Sequence, residues 1–274
     1  MMWRRCARSW VGTGMLESAL RAARAEGRKL LIPYLMGGMT DDWTQSLAAV
    51  VAAGADAVEV GIPFSDPMMD GPVIQEASLR ALQRGTVPQE VLEGVASAQV
   101  SVPVAAMTYY NLIFRGGHRR MARSMAASGV GGAIVPDLPV EEIGPWAAEA
   151  DAAGVDTVLL VAPSSPPERV EQICARARGF VYAVARMGVT GERVDLGDDV
   201  AKVVGRIRQC TDMPVCVGVG VSTPEQAVQI CEVADGVVVG SALVRRLLEG
   251  SGPEGAAEFV SSFRRALDAQ PVAG

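Results

Sequence analysis

Short apolar runs recur along the chain at 30–35, 55–60, 102–107, 132–135, 156–161, 180–184, 214–217 and 236–239. Each is too short for a buried helix and apolar at both alternating positions, the pattern of a strand covered on both faces. The stretches between them carry apolar residues at helical spacing. A leading helix is predicted over 15–28 from Leu16, Leu20 and Ala23. Thr40-Asp41-Asp42 starts another that stops at Gly54, and further helices are expected from 72 to 85, from Pro88 onward, and over 115–128, 140–153, 166–177, 194–210 and 223–232. The last helices begin at Ser241. Eight strand–helix units with no linker between them predict a closed parallel (β/α)8 TIM barrel with an extra N-terminal helix, a single domain over residues 15–270.

The composition agrees with that picture. Of the 274 residues, 49% are hydrophobic and 20% charged, which suits a large core under a soluble surface. The net charge of −6 and the absence of a basic run in the body of the chain argue against nucleic acid or an anionic membrane as a partner. No apolar run reaches membrane-spanning length. The first fourteen residues, with Arg4, Arg5 and Arg8, lack the apolar centre of a secretory signal and are expected to form a disordered extension. Five cysteines without a C-x-x-C pair read as reduced thiols of a cytoplasmic protein.

Scarcity narrows the chemistry further. Lys29 and Lys202 are the only lysines and His118 the only histidine. Neither lysine ends an apparent strand, so a Schiff-base mechanism lacks a candidate. One histidine and scattered thiols make neither an ordinary catalytic zinc site nor a Ser-His-Asp triad, so no metal is expected. Carboxylates, hydroxyls and backbone dipoles remain. Glu59 stands inside an apolar strand, where a carboxylate is costly to bury without a partner or a purpose. The loop that follows brings Asp70, and two carboxylates near one strand end allow one acid and one base with separated pKa values.

Three glycine-bearing stretches, Gly188-Val189-Thr190-Gly191, Gly218-Val219-Gly220-Val221-Ser222 and Gly240-Ser241, follow the last three strands. In barrels these loops and a nearby helix N-terminus form the usual phosphate site, so a phosphorylated substrate is expected. Tyr182 lies mid-strand and is read as a pocket residue. The segment Thr108-Tyr109-Tyr110-Asn111 follows the third strand and is either pocket wall or an ordinary strand end. His118 is read as solvent-exposed, Arg119, Arg120 and Arg123 as a solvated helix face, and Met68-Met69 as either core or a sticky loop for a partner.

At these residues the chain resembles the tryptophan synthase alpha subunits, the indole-3-glycerol-phosphate lyases. The resemblance spans about 15 to 267 and is strongest in Gly54-Ala55-Asp56-Ala57-Val58-Glu59-Val60-Gly61-Ile62-Pro63-Phe64-Ser65-Asp66-Pro67 with Asp70-Gly71-Pro72. It continues in Met107-Thr108-Tyr109-Tyr110-Asn111, Val135-Pro136-Asp137-Leu138-Pro139, Gly188-Val189-Thr190-Gly191 and Gly240-Ser241. The resemblance implies retro-aldol cleavage of indole-3-glycerol phosphate to indole and glyceraldehyde 3-phosphate in tryptophan biosynthesis. It implies Glu59 as the general acid/base and Asp70 at the indole N–H, with Thr190 orienting Asp70. Tyr34, Tyr109 and Tyr182 would line the pocket, and backbone at Gly191, Gly220, Gly240 and Ser241 would hold the phosphate. It also implies a β subunit as partner in an α2β2 tetramer, with pyridoxal phosphate in that partner and no cofactor in this chain. Met68-Met69 stands where Leu-Ala is common in the family. A stand-alone indole-forming lyase, a non-catalytic allosteric subunit and another phosphate-binding barrel, such as a phosphosugar isomerase, are the alternatives.

Overall fold

The computed structural model describes residues 14–184, 196–218 and 220–270. Eight parallel strands close in chain order: β1 (Leu30–Met36), β2 (Val58–Gly61), β3 (Val104–Met107), β4 (Val130–Ile134), β5 (Asp156–Val161), β6 (Val181–Val184), β7 (Val215–Gly218) and β8 (Gly236–Val239). The ring closes where Leu30 pairs with Gly236 and Pro33 with Val239. Strands β5 and β8 fall where the apolar runs predict them. The others shift by one to three residues at their ends, where pairing partners rather than side chains decide the boundary.

Alternate residues of each strand point into the barrel. The inward set at its lower levels includes Leu30, Ile32, Ala57, Ala105, Ile134, Val158, Phe180, Cys216 and Val238, which cluster with Leu16 and Leu20 of α1 (Met15–Ala25). Helix α1 is thus a plug across the N-terminal end of the barrel. The outward strand residues join the surrounding helices in a second, larger core. There α12 (Gly252–Asp268) packs on α2 (Trp43–Ala52) and α10 (Pro224–Cys231).

The plug is fixed by polar groups that are all partnered. Glu17 is completely buried and accepts from Arg21 Nε at 2.8 Å and from the Gly179 N–H at 3.2 Å. Asp156, the first residue of β5, accepts the Glu17 N–H at 2.9 Å and so caps α1 from across the barrel, since the N-cap residue Gly14 has no side chain to do it. Burial pushes the Asp156 carboxyl up to about 6, against the opposing pull of that N–H. Elsewhere on the same end of the barrel, just before β2, Asp56 accepts from Arg28, from Arg264 at 3.1 Å and from the Leu31 N–H at 2.8 Å. Asp235 accepts from Arg208 and, at 2.7 Å, from the Val215 N–H.

One predicted helix is in fact two. The span 115–128 is occupied by the end of α5 (Tyr110–Gly116) and by α6 (His118–Ala127), broken at Gly117, whose φ of 82° no helix accommodates. His118 then does not stand free in solvent as its polar neighbours suggest. It is half-buried, with Nε2 at 3.0 Å from the Tyr110 hydroxyl and its ring stacked on Tyr110. Arg119, Arg120 and Arg123 are exposed.

Candidate active site

The C-terminal end of the barrel holds a cavity of about 450 Å³. Its wall includes Tyr34, Glu59, Asp70, Tyr182, Gly220, Gly240 and Ser241, seven of the residues singled out from the sequence. They come from three strands, β1, β2 and β6, and from the segments that follow β2, β7 and β8. Side chains that point inward at the strand ends have no further layer above them, so the cavity is what remains when the barrel runs out of filling.

Two tyrosines enter it by the same device. Tyr34 on β1 pairs with Glu59 on β2, and Gly61 is two residues further along β2. A Cβ at Gly61 would lie 2.0 Å from the Tyr34 hydroxyl. Across the barrel, Tyr182 on β6 pairs with Cys216 on β7, and a Cβ at Gly218 would lie 2.4 Å from the Tyr182 hydroxyl. Each phenol therefore leans over a glycine on the next strand, and any other residue there would evict it. Burial, with Asp70 and Glu59 behind it, holds the Tyr34 hydroxyl far above its ordinary range; burial and then Glu59 do the same for Tyr182. Both remain proton donors at any physiological pH.

Glu59 is 1% exposed, and neither of its carboxyl oxygens has a hydrogen-bond partner among the described residues. Burial first, and the Asp70 charge second, push it up to about 8. No Arg, Lys or His lies among the described residues of the cavity wall. Glu59 is therefore neutral at pH 7, with a proton that no group among the described residues shares.

Asp70 is half-buried at the rim, on the loop between β2 and α3 (Pro72–Gln83). Burial raises its carboxyl, while a hydrogen bond from the Tyr109 hydroxyl, 3.0 Å from Oδ2, pulls it back down. Tyr109 supports Asp70 from behind and is not on the cavity wall, where the sequence placed it. Met68 and Met69 on the same loop are 89% and 60% exposed, so they are not core.

Gly220 has a φ of +64°, and Gly240 and Ser241 begin α11 (Ser241–Leu248), whose first turn opens on the cavity. Free N–H groups and the positive end of the helix dipole make this a place for an anion. Thr190 and Gly191, with Gly188 and Val189 of the same stretch, lie outside the described residues, as does Val219. The remaining wall includes Met107, Pro136, Leu160, Ala162, Val184 and Val238. Sequence reasoning passed over these because an inward apolar residue at a strand end looks like core. Counting alternate positions to the last residue of each strand would have found Met107, Leu160 and Val184.

Comparison with known proteins agrees with this geometry. The profile of the family described as Tryptophan synthase alpha chain matches residues 20–269. The tryptophan synthase alpha chain of Halorhodospira halophila is 47% identical over 269 residues, covering 94% of this chain and 98% of that one. That of Streptomyces avermitilis is 45% identical, covering 91% of each. Among solved structures, a Mycobacterium tuberculosis tryptophan synthase superposes with a TM-score of 0.85 at 38% identity, over 94% of this chain and all of that one. The Legionella pneumophila alpha subunit gives 0.85 at 31% identity over the same shares. An apolar cavity with an unpaired, protonated glutamate on β2 and an anion seat at α11 is thus carried by a chain that belongs to the tryptophan synthase alpha chain family, the lyases of the alpha reaction.

Proposed function

We propose that Glu59 and Asp70 are the two groups with which this chain cleaves indole-3-glycerol phosphate, the alpha reaction of its family. The observation that carries the assignment is a buried Glu59 with neither carboxyl oxygen hydrogen-bonded among the described residues. The reaction must add a proton to C3 of the indole ring, remove one from the hydroxyl on the adjoining glycerol carbon, and break the bond between those carbons. Glu59 in its neutral form supplies the first proton. The carboxylate that remains then accepts the hydroxyl proton as the bond breaks, so glyceraldehyde 3-phosphate leaves as the aldehyde and Glu59 is restored.

Asp70 does the complementary work. As a carboxylate it accepts the indole N–H, which makes C3 more basic, and it stabilises the positive charge that C3 protonation puts on the ring. Tyr34 and Tyr182 confine the ring between them, and apolar side chains such as Leu160 and Val238 exclude water from it. Backbone N–H groups at Gly220, Gly240 and Ser241, with Gly191, are assigned the phosphate, and Thr190 is assigned the orientation of Asp70. Glu59 and the N-terminus of α11 line one cavity, which suits a substrate that is aromatic at one end and dianionic at the other.

The exposed Met68-Met69 pair beside Asp70 is assigned to a β subunit, in an α2β2 assembly that keeps pyridoxal phosphate in the partner and needs no cofactor here. The test is indole release from indole-3-glycerol phosphate by the pure protein, with and without a β subunit. Wild type is expected to form indole, faster with the partner, and Glu59→Gln is expected to bind indolepropanol phosphate while turning over about 10³-fold more slowly. Near-normal turnover in that variant would move the proton transfers to another group.

A further inference from the structure

Asp70 sits on a loop with little to hold it. Ser65, Asp66, Met68 and Met69 are all exposed, and a carboxylate on such a segment samples many orientations unless something outside the segment fixes it. The structure supplies one such anchor for the side chain. Tyr109 follows β3 and is 6% exposed. Its hydroxyl accepts the Met69 N–H at 3.0 Å and donates to Asp70 Oδ2 at 3.0 Å.

The direction of that second bond is not free. A phenol has one proton, and the backbone N–H of Met69 can only donate, so it takes a lone pair of the hydroxyl and leaves the proton for Asp70. Burial and then the Asp70 charge hold the Tyr109 hydroxyl well above its ordinary range, so it stays a donor whenever Asp70 is ionised. The ring is held as firmly. It stacks on Phe64 with centroids 4.9 Å apart and 21° between planes. Phe64 is pinned in turn by Ser78 of α3, which is buried and bonds both its N–H at 2.9 Å and its carbonyl at 2.8 Å. On the other side, the Tyr110 N–H donates to Asp137 at 2.9 Å and fixes the backbone from which the phenol springs.

We propose that Tyr109 is a positioning residue for Asp70, holding it from behind in addition to the role assigned to Thr190: its hydroxyl fixes the carboxylate at the cavity rim and favours its ionised form, without itself touching substrate. The proposal rests on the reading of Asp70 as the group that accepts the indole N–H. The titratable groups that face Asp70 are Glu59, Tyr34, Tyr182 and Tyr109, with Asp137 acting on Tyr109. Among the described residues none of these is a cation, and the Tyr109 hydroxyl is the donor they offer to the ionised form.

Tyr109→Phe keeps the ring and its stack and removes only the hydroxyl. We expect kcat to fall about tenfold to a hundredfold with KM changed less than about threefold, because the substrate's seat survives while the carboxylate is misplaced. The acid limb of the pH–rate profile should move to higher pH, since the ionised form of Asp70 has lost its donor. In an Asp70→Asn background the same change should cost less than about threefold, because the coupling passes through that carboxylate. Replacing Tyr109 with a fluorotyrosine, a more acidic phenol of nearly the same shape, should move the acid limb the other way. An unmoved acid limb in both Tyr109 variants, or a full additional loss in the Asp70→Asn background, overturns the proposal. Wild-type turnover in Asp70→Asn alone would instead overturn the role of Asp70 on which it rests.

Discussion

Glu17 and Glu59 are both buried in the same barrel, 0% and 1% exposed, and they could hardly be treated more differently. Glu17, at the N-terminal end, has an arginine on one oxygen and a backbone N–H on the other. Glu59, at the C-terminal end, has nothing on either among the described residues. At the lower end Glu17, Asp56, Asp156 and Asp235 are each met by donors. The upper end gathers Glu59, Asp70 and tyrosines with no cation among the described residues of the cavity wall. A buried carboxylate with partners holds elements together; one without partners keeps its proton and is available to a ligand. Burial alone therefore does not separate a structural acid from a chemical one, whereas the count of donors around it does.

The comparison can be broken most decisively in turnover. Glu59→Gln is expected to lose about 10³-fold, whereas Glu17→Gln, assayed well below its melting temperature, should stay within about threefold of wild type. An equal loss in the two would erase the distinction. The next effect is in stability against pH. The folded-state pKa of Glu59 lies near 8, above its ordinary 4.5. A raised acid contributes fully below the lower value and loses that contribution as pH rises through the upper one. Wild type should therefore lose stability relative to Glu59→Gln between about pH 4.5 and 8, by on the order of 5 kcal/mol. Denaturant titrations at pH 4 and 9 measure it, and a difference that does not change with pH would mean that Glu59 has a partner after all.

Glu17→Ala acts in the opposite direction. It strands the Gly179 N–H and removes one partner of Arg21, which keeps Asp212, and should destabilise by about 1–3 kcal/mol at pH 7 with turnover retained at low temperature. The smallest effect belongs to the trans cap. Asp156→Ala should cost about 1 kcal/mol, and Asp156→Asn, which still offers an acceptor to the Glu17 N–H, only a few tenths. If the asparagine variant falls as far as the alanine one, charge and not capping is what Asp156 contributes.

Much of this was readable before the structure, for reasons that can be named. The strands at 156–161 and 236–239 are apolar runs bounded by polar or glycine residues, and the run is the strand. Glu59 was legible because a lone acid in such a run contradicts its surroundings. Tyr182 follows from its place on a strand, Tyr34 from the family resemblance alone, and Gly240-Ser241 from the junction of a last strand with a helix. The break at Gly117 was not legible, because the apolar spacing of 115–128 survives on α6 and only the backbone angle interrupts it. The residues alone leave Tyr109 open between pocket wall and strand end, and only the family resemblance puts it in the pocket. Its true position depends on the path of a loop 39 residues earlier in the chain, which Phe64 and Ser78 determine together. His118 was misjudged for the same reason: its neighbours in sequence are arginines, and its neighbours in space are Tyr110, Phe114 and Trp146.

The capping of α1 by Asp156 has a consequence for how the protein is made. Helix α1 is the first described element to emerge during synthesis, yet the acceptor for its Glu17 N–H is 139 residues further along. Eleven residues are too few for a helix to persist alone in water. Its apolar face, Leu16 and Leu20, also waits for Val238 of the last strand. A growing chain therefore carries its earliest helix as an unfinished part until translation is nearly over. The element made first is the last to be locked, and any fragment that ends before β5 lacks the residue that locks it.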